Sequence, residues 1–399
     1  METTMTSRER ILATCAHEPT DHVPLHLEVH PSYCLYDPAV AWWNNQFERT
    51  DDLLALGADA MVEVWLPDPS YHPDVEVRTW REEPPNQKYA LLGKEYRTPA
   101  GPLRQVIKET DDLYDWHKIN RNTRGPIADM IDGVGLLEDV NPSRSVEFLI
   151  KGPQDLEKMR YLFQPISGQH YASWREDALF AKKEAEKRQV VFLARRTYCG
   201  SALLWLTDIQ DSIISLALEP EYIREFLRII QDWQLRNLEM VLDVGVDMVT
   251  RFGYYDTPDF WGVKYFEQFL LPLLNEEAEL CHQAGALLCQ QQSEGITQQV
   301  DAYGKSLVDV FRDVDPVQGN EDMALLKQKL GKTKTLMGGL NIDIWLANAE
   351  QHEVASYIRD MLELMAPGGG FILHPVPGIY AGVPWEKIML LIQAWKRYA

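Results

Sequence analysis

Eight short β-rich apolar runs recur along the chain: 22–29 (HVPLHLEV), 59–66 (DAMVEVWL), 189–197 (QVVFLARRT), 246–252 (VDMVTRF), 286–292 (ALLCQQQ), 307–312 (LVDVFR), 333–340 (TKTLMGGL) and 370–376 (GFILHPV). Helical periods separate most of them. Ile223, Phe226, Leu227 and Ile230 follow an i, i+3, i+4, i+7 spacing behind Pro220, a residue favoured in a first helical turn. Val354, Ile358, Met361, Leu362 and Met365 keep the same period until APGGG stops it, and Trp385, Ile388, Met389 and Ile392 resume it after Pro384. Strands alternating with helices predict a parallel sheet covered by helices. Eight such strands predict an α/β fold of the (β/α)8 TIM-barrel kind, with chemistry at the carboxyl ends of the strands. An open doubly wound sheet is the alternative, but no G-x-G-x-x-G fingerprint supports a dinucleotide-binding version.

Residues 75–108 break the alternation. VEVRTWREE, KYALLGKEYRT and GPLRQVIKET, joined by Pro- and Gly-bearing turns, predict a β-meander inserted after the second strand. The polar, Trp-containing stretch 109–180 is expected to form loops and short helices at the barrel mouth. The organisation expected is one barrel domain over 1–399 with an insertion at about 75–180.

Composition narrows the function classes. A net charge of −21 argues against a nucleic-acid binder, which needs a basic surface, and favours solubility or a basic patch on a partner. No apolar run reaches the ~18 residues of a membrane helix, and the start METTMTSRERILA has no secretory pattern. The five cysteines lack paired spacing and read as free thiols of a cytoplasmic protein.

Candidate site residues follow from the strand ends. On the first run His26, Glu28 and His30 alternate with Leu27 and Val29, so period two puts three polar side chains on one face. They form either a hydrogen-bonded set, a zinc or iron ligand set, or acid/base and substrate contacts. Glu63 lies on the second run and Arg195-Arg196 on the third. Arg251 and Asp256 follow the fourth, Gln292 and Glu294 the fifth, Arg312 ends the sixth, Asn341 follows the seventh, and His374 sits on the eighth. Asp256-Thr257-Pro258 also reads as a helix N-cap with Pro at N1, and His374 alone as a satisfied core histidine. Tryptophans such as Trp42, Trp43 and Trp65 either line an aromatic pocket or fill core and helix faces.

Four segments in order resemble the uroporphyrinogen decarboxylase superfamily of (β/α)8 barrels, which includes corrinoid-linked methyltransferases of anaerobes. SRERILATCAHEPTDHVPL is similar to its opening R-E-R, apolar helix and P-x-D-x-V-P. DPVQGNEDMALLKQKLGKTKTLMGGLNID, MAPGGGFIL and GVPWEKI resemble its later motifs. The decarboxylase branch carries an R-Q-A-G-R-Y type motif at the first strand; HLEVHPSY here has no arginine. The coenzyme M methyltransferases hold zinc with H-x-C-G after the fifth strand and a cysteine near the eighth. Gln292-Ser293-Glu294-Gly295 and His374-Pro375-Val376-Pro377 stand at those places, which argues against a thiolate-ligated zinc.

The resemblance implies a methyltransferase passing a methyl group from a small methylated donor, such as an aryl methyl ether, to a corrinoid (cobalamin) on a partner protein, since no corrinoid-binding D-x-H-x-x-G is evident. A metal such as zinc, if bound, would be held by oxygen and imidazole from Glu294, His374, His26, Glu28 or His30, with Glu294 and His374 as the catalytic groups. His26, Glu28, Glu63, Arg251, Asp256, Gln292 and Asn341 would contact substrate. Without a metal, Glu294 and Gln292 would hydrogen-bond the donor, and a carboxylic acid would protonate the leaving oxygen. A decarboxylase-like lyase and a non-catalytic binding barrel stay open as alternatives.

Overall fold

The computed structural model describes residues 3–29, 43, 45–67, 69–110, 142–198, 200–379 and 383–399. These cluster into two compact units. One comprises residues 1–66, 175–197 and 238–399, the other 67–174 and 198–237.

The first unit is α/β. Seven strands, β1 (Met61–Trp65), β6 (Val191–Thr197), β7 (Met248–Phe252), β8 (Leu287–Gln291), β9 (Val310–Val314), β10 (Thr335–Asn341) and β11 (Phe371–Val376), form one sheet in that order. Every neighbouring pair is parallel. All seven overlap expected runs, with β9 reaching Val314 and β10 reaching Asn341, past the ends expected for them. The run at 22–29 differs. Pro24 has no N–H to give a ladder, and the segment makes isolated parallel bridges instead: Leu25 with Leu373, His26 with Asp59 and Val29 with Ile379. It thus touches β11 on one side and the lead-in to β1 on the other.

The helical periods hold as well. Ile223, Phe226, Leu227 and Ile230 are buried in the helix Pro220–Val244. Val354, Ile358, Met361, Leu362 and Met365 are buried in Gln351–Met365. That helix ends where Gly368, Gly369 and Gly370 take φ of 81°, 74° and 68°, a backbone region that glycine enters without steric cost. No helix among the described residues is long and apolar enough to cross a membrane.

One buried cluster fills the inside of the sheet. Met61, Leu193, Met248, Cys289, Val310, Met337 and Ile372 each come from a different strand, and Ile11 of the helix Ser7–Cys15 joins them. Arg10 ties that helix down through Asp21 and Asp59, each at 2.6 Å.

In the second unit β2 (Glu76–Glu82), β3 (Leu91–Thr98), β4 (Gly101–Lys108) and β5 (Ser145–Glu147) form an antiparallel sheet in chain order. Leu92, Tyr96, Leu103, Val106 and Ile107 are its buried residues. Three of these strands fall in the 75–108 stretch; residues 111–141 lie outside the described residues.

Candidate active site

Side chains two apart on a strand share a face. Two residues beyond the buried apolar layer, that face carries Glu63 on β1, Arg195 on β6, Gln291 on β8, Arg312 on β9 and His374 on β11. The 24–29 segment adds His26 and Glu28. These groups meet. Glu28 Oε1 accepts from Arg195 Nη1 at 2.6 Å, and Oε2 accepts from Arg312 Nη2. Arg195 also donates to Glu63 Oε1 at 3.0 Å and Gln291 Oε1 at 3.3 Å. Its guanidinium lies beside the edge-to-face pair of Trp65 and Phe252, 5.3 and 5.5 Å from their centroids. Trp65 is 46% exposed and Tyr254 36%, so this aromatic edge reaches solvent.

The charges hold one another. Burial opposes ionisation of Glu28, but the guanidiniums of Arg195 and Arg312 outweigh it and keep its carboxyl well below the usual range. Burial likewise opposes the Arg195 cation, while Glu28 and Glu63 raise it well above the ordinary value. Burial, with the neighbouring His374 and Arg312, pushes His26 well below a free imidazole, so His26 is neutral.

Asp313 was not among the expected residues. Strand parity would turn it away from Arg312, but β9 is bulged there. Arg312 pairs with Met337 and Val314 with Gly338, leaving Asp313 unpaired with φ of 66°. A bulge re-aims a side chain. Asp313 Oδ1 consequently lies 3.1 Å from His374 Nε2, and Oδ2 accepts from Gln291 Nε2 at 2.7 Å. Gly338 permits this: a Cβ there would stand 2.3 Å from the Val314 carbonyl oxygen. Two charged residues side by side in an apolar strand, Arg312-Asp313, were the available signal.

His26, Glu28, Glu63 and His374 are thus brought together, with Arg195 and Arg312. The other expected residues stand elsewhere. Arg251, on the opposite face of β7, bonds Asp256 and Gln290 and pairs with Glu277 of the helix Leu271–Gln283 at 3.3 Å. Gln292 donates to Gln299 at 3.2 Å and accepts from Tyr303. All of these are fully buried. Thr257, not Asp256, occupies the N-cap position before Pro258. Asn341 donates to Asp315 at 2.8 Å and caps the turn at Ile344 and Trp345. Glu294 is exposed in the turn after β8, where its carbonyl accepts from Gln292 Nε2 at 2.8 Å. His30, Trp42 and the Arg196 side chain lie outside the described residues.

A thiolate-ligated zinc does not fit these residues. Cys289 is part of the apolar core, and burial pushes its thiol up to about 12, as it does that of Cys15. Glu28, Asp313 and His374 instead offer one ligand atom each, all within 4.8 Å of one another.

Comparison with known proteins agrees with this architecture. The uroporphyrinogen decarboxylase (URO-D) family model matches residues 206–398, just under half of the chain. These residues carry the uroporphyrinogen decarboxylase pattern. The resemblance read from the sequence motifs therefore holds, and the matched span includes β7 to β11 with Gln291, Arg312, Asp313 and His374. Among solved structures, a methyltransferase from Methanosarcina mazei covers 99% of both chains at TM-score 0.57 and 14% identity, a shared fold. A B12-independent methionine synthase from Shewanella sp. W3-18-1 covers 56% of this chain and 64% of its own at TM-score 0.35 and 13% identity, too distant to carry an argument. No curated protein matches the sequence.

Proposed function

We propose that this uroporphyrinogen decarboxylase-like protein is a cytoplasmic methyltransferase that moves a methyl group from a small methylated donor, an aryl methyl ether being the model case, to the cobalt of a corrinoid held by a partner protein. The observation that carries the reading is the polar layer of Glu28, Glu63, Arg195, Arg312, Asp313 and His374 just beyond an apolar core, at the carboxyl ends of parallel strands. The full-length fold likeness to a methyltransferase supports it. We read the 24–29 segment as closing the eight-membered ring, with the antiparallel sheet as the insertion.

Methyl transfer from an ether is slow because the leaving oxygen becomes negative. The site must neutralise that charge as the C–O bond breaks. The reduced corrinoid supplies the electron pair for the new bond to carbon. This chain's part is to orient the donor, shield it from water and place positive or protic groups at the leaving oxygen. Arg195 and Arg312, held rigid by Glu28 and Glu63, set the potential there, and the His374–Asp313 pair meets the oxygen. Trp65 and Tyr254 form an aromatic edge suited to an aromatic donor. Glu294 is left as an outer contact at the exposed turn.

A lyase of the same fold would need a free guanidinium for a substrate carboxylate. Arg195 and Arg312 are already paired with Glu28 and Glu63, so neither is a wholly free carboxylate ligand. The test mixes the protein with cob(I)alamin and a panel of methoxylated aromatics and methylamines. At least one donor is expected to give the methylcobalamin spectrum; its absence for every donor, on cobalamin and on corrinoid-loaded partner alike, would sink the reading.

A further inference from the structure

We infer that Arg49 is an anion anchor beside the polar layer, and that it holds a carboxylate carried by the methyl donor. This rests on the methyl-transfer reading and adds to it that the donor is an acid rather than a neutral molecule.

The argument starts with the helix Gln46–Ala55. Its first residue is tied to β1 at both ends of an amide. Gln46 Nε2 donates to the Glu63 carbonyl at 2.9 Å, and Gln46 Oε1 accepts from the Glu63 amide at 2.8 Å. Asn45 caps the helix by accepting from the Phe47 and Glu48 amides at 2.9 and 3.0 Å. The first turn is thus fixed beside Glu63, a member of the polar layer. Residues three apart on a helix share a side, so Arg49 stands on the side that Gln46 turns to β1.

Arg49 differs from the other two guanidiniums here. Arg195 and Arg312 donate to Glu28, Glu63 and Gln291. The half-buried Arg49 side chain makes no hydrogen bond and no ion pair among the described residues. It is not an ordinary solvated surface arginine either. Burial pulls its pKa below the usual value, although Glu63 and Glu28 act to raise it. A guanidinium presents N–H donors in a planar fork, and taking polar groups from water without a partner is costly. A carboxylate fits that fork with two parallel bonds. Charge selects the same ligand. Arg49, Arg195 and Arg312 balance Glu28, Glu63 and Asp313, so a monoanion is tolerated, while a phosphate dianion would meet Glu63 and Glu28 with no further cation. The aromatic edge lies alongside: Trp65, two residues past Glu63, packs edge-to-face on Phe252 and reaches solvent. The 24–29 segment separates the lead-in to β1 from β11. A flat acid can therefore keep its carboxylate at Arg49, its ring against Trp65 and its methoxy oxygen toward His374. The rival partner for the fork is Glu63, whose Oε2 has no protein donor among the described residues.

The experiment uses calorimetry on the protein without corrinoid. It titrates ortho-, meta- and para-methoxybenzoate, each beside the matching methoxybenzamide, a neutral molecule of the same shape. At least one acid is expected to bind about tenfold or more tighter than its amide, the scale of a charge-assisted pair. Arg49→Gln, first shown to be folded by its melting curve, is expected to bring acid and amide within about threefold of each other. Arg49→Lys keeps the charge without the fork, and its preference should fall between the two. Should Arg49→Gln unfold, the wild-type pairs and Arg49→Lys still decide. Acid and amide binding alike in wild type, no acid binding, a preference kept in Arg49→Gln, or inorganic phosphate displacing the acid at equal concentration would each overturn the anchor. Release of CO2 from the bound acid would do so too, since the carboxylate would then be the reacting group. The two readings fail separately. A lost acid preference leaves methyl transfer from neutral donors standing, and a kept preference with no methylcobalamin formed sinks the reaction and leaves the anchor.

Discussion

Arg251 and Arg195 show how far one side chain's chemistry depends on which face it joins. Arg251 is fully buried behind the sheet with Asp256, Gln290 and Glu277. Removing one partner of a buried ion pair strands the others and costs about 3–5 kcal/mol. Arg251→Met is therefore expected to lower unfolding stability by that order in urea denaturation. A variant within about 1 kcal/mol of wild type, inside the range of ordinary substitutions, would return Arg251 to the list of substrate contacts. Glu28→Gln, whose side chain is partly exposed, is expected to cost less stability and far more turnover. The residue types were legible in the sequence, but the face was not. Both faces of a buried parallel strand are apolar, so the phase of Met248, Val249, Thr250 and Arg251 does not declare which alternate set points inward.

At the scale of an element, the bulge in β9 is the device that assembles the site. The seven strand runs were legible because short apolar stretches, most of them rich in β-branched residues, mark them, and the helix Gln351–Met365 because its apolar stripe repeats cleanly. The bulge was not legible. One extra residue reverses parity, and only the long-range pairing of Gly338 with Val314 shows it. The contribution of the 22–29 run was half legible. Its alternating His26 and Glu28 reach one site, yet Pro24 keeps it from being a ladder strand. Gly338→Ala tests the bulge directly. Its Cβ would meet the Val314 oxygen at 2.3 Å and nitrogen at 2.6 Å, which forces backbone movement and costs about 1–3 kcal/mol. An unchanged midpoint in urea would show that Gly338 does not hold the bulge.

At the scale of the molecule, the amino-terminal clamp couples folding to pH. Asp21, held by Arg10 and by the Thr4 and Met5 amides, precedes His22, which is buried against Trp395. Burial and the nearby Arg10 cation push His22 down to about 4, against about 6.5 in an unfolded chain. A depressed folded value means the stability is present above the unfolded pKa. It is lost as pH falls from about 6.5 through about 4, a change on the order of 3 kcal/mol. Asp59 is pushed up to about 6, chiefly by burial, and its contribution runs the opposite way, so a single stability curve would blur the two. The difference between wild type and His22→Phe isolates His22. That difference is expected to move by about 3 kcal/mol between pH 7 and pH 4; a flat difference would mean that His22 does not titrate with folding.

The central claim is that methyl transfer occurs at the buried layer joining Glu28, Asp313 and His374. The most direct measurement is the single-turnover appearance of methylcobalamin, followed by its spectrum, with the best donor of the panel. Wild type, Asp313→Asn and Glu294→Gln are compared. Asp313→Asn keeps the shape and removes the charge at the leaving oxygen's partner, so a loss of about a hundredfold or more is expected. Donor binding should be nearly unchanged, because the interaction matters most in the transition state. Glu294→Gln should fall by much less. Asp313→Asn within about threefold of wild type, with Glu294→Gln carrying the large loss, would contradict the account and move the chemistry to the turn after β8.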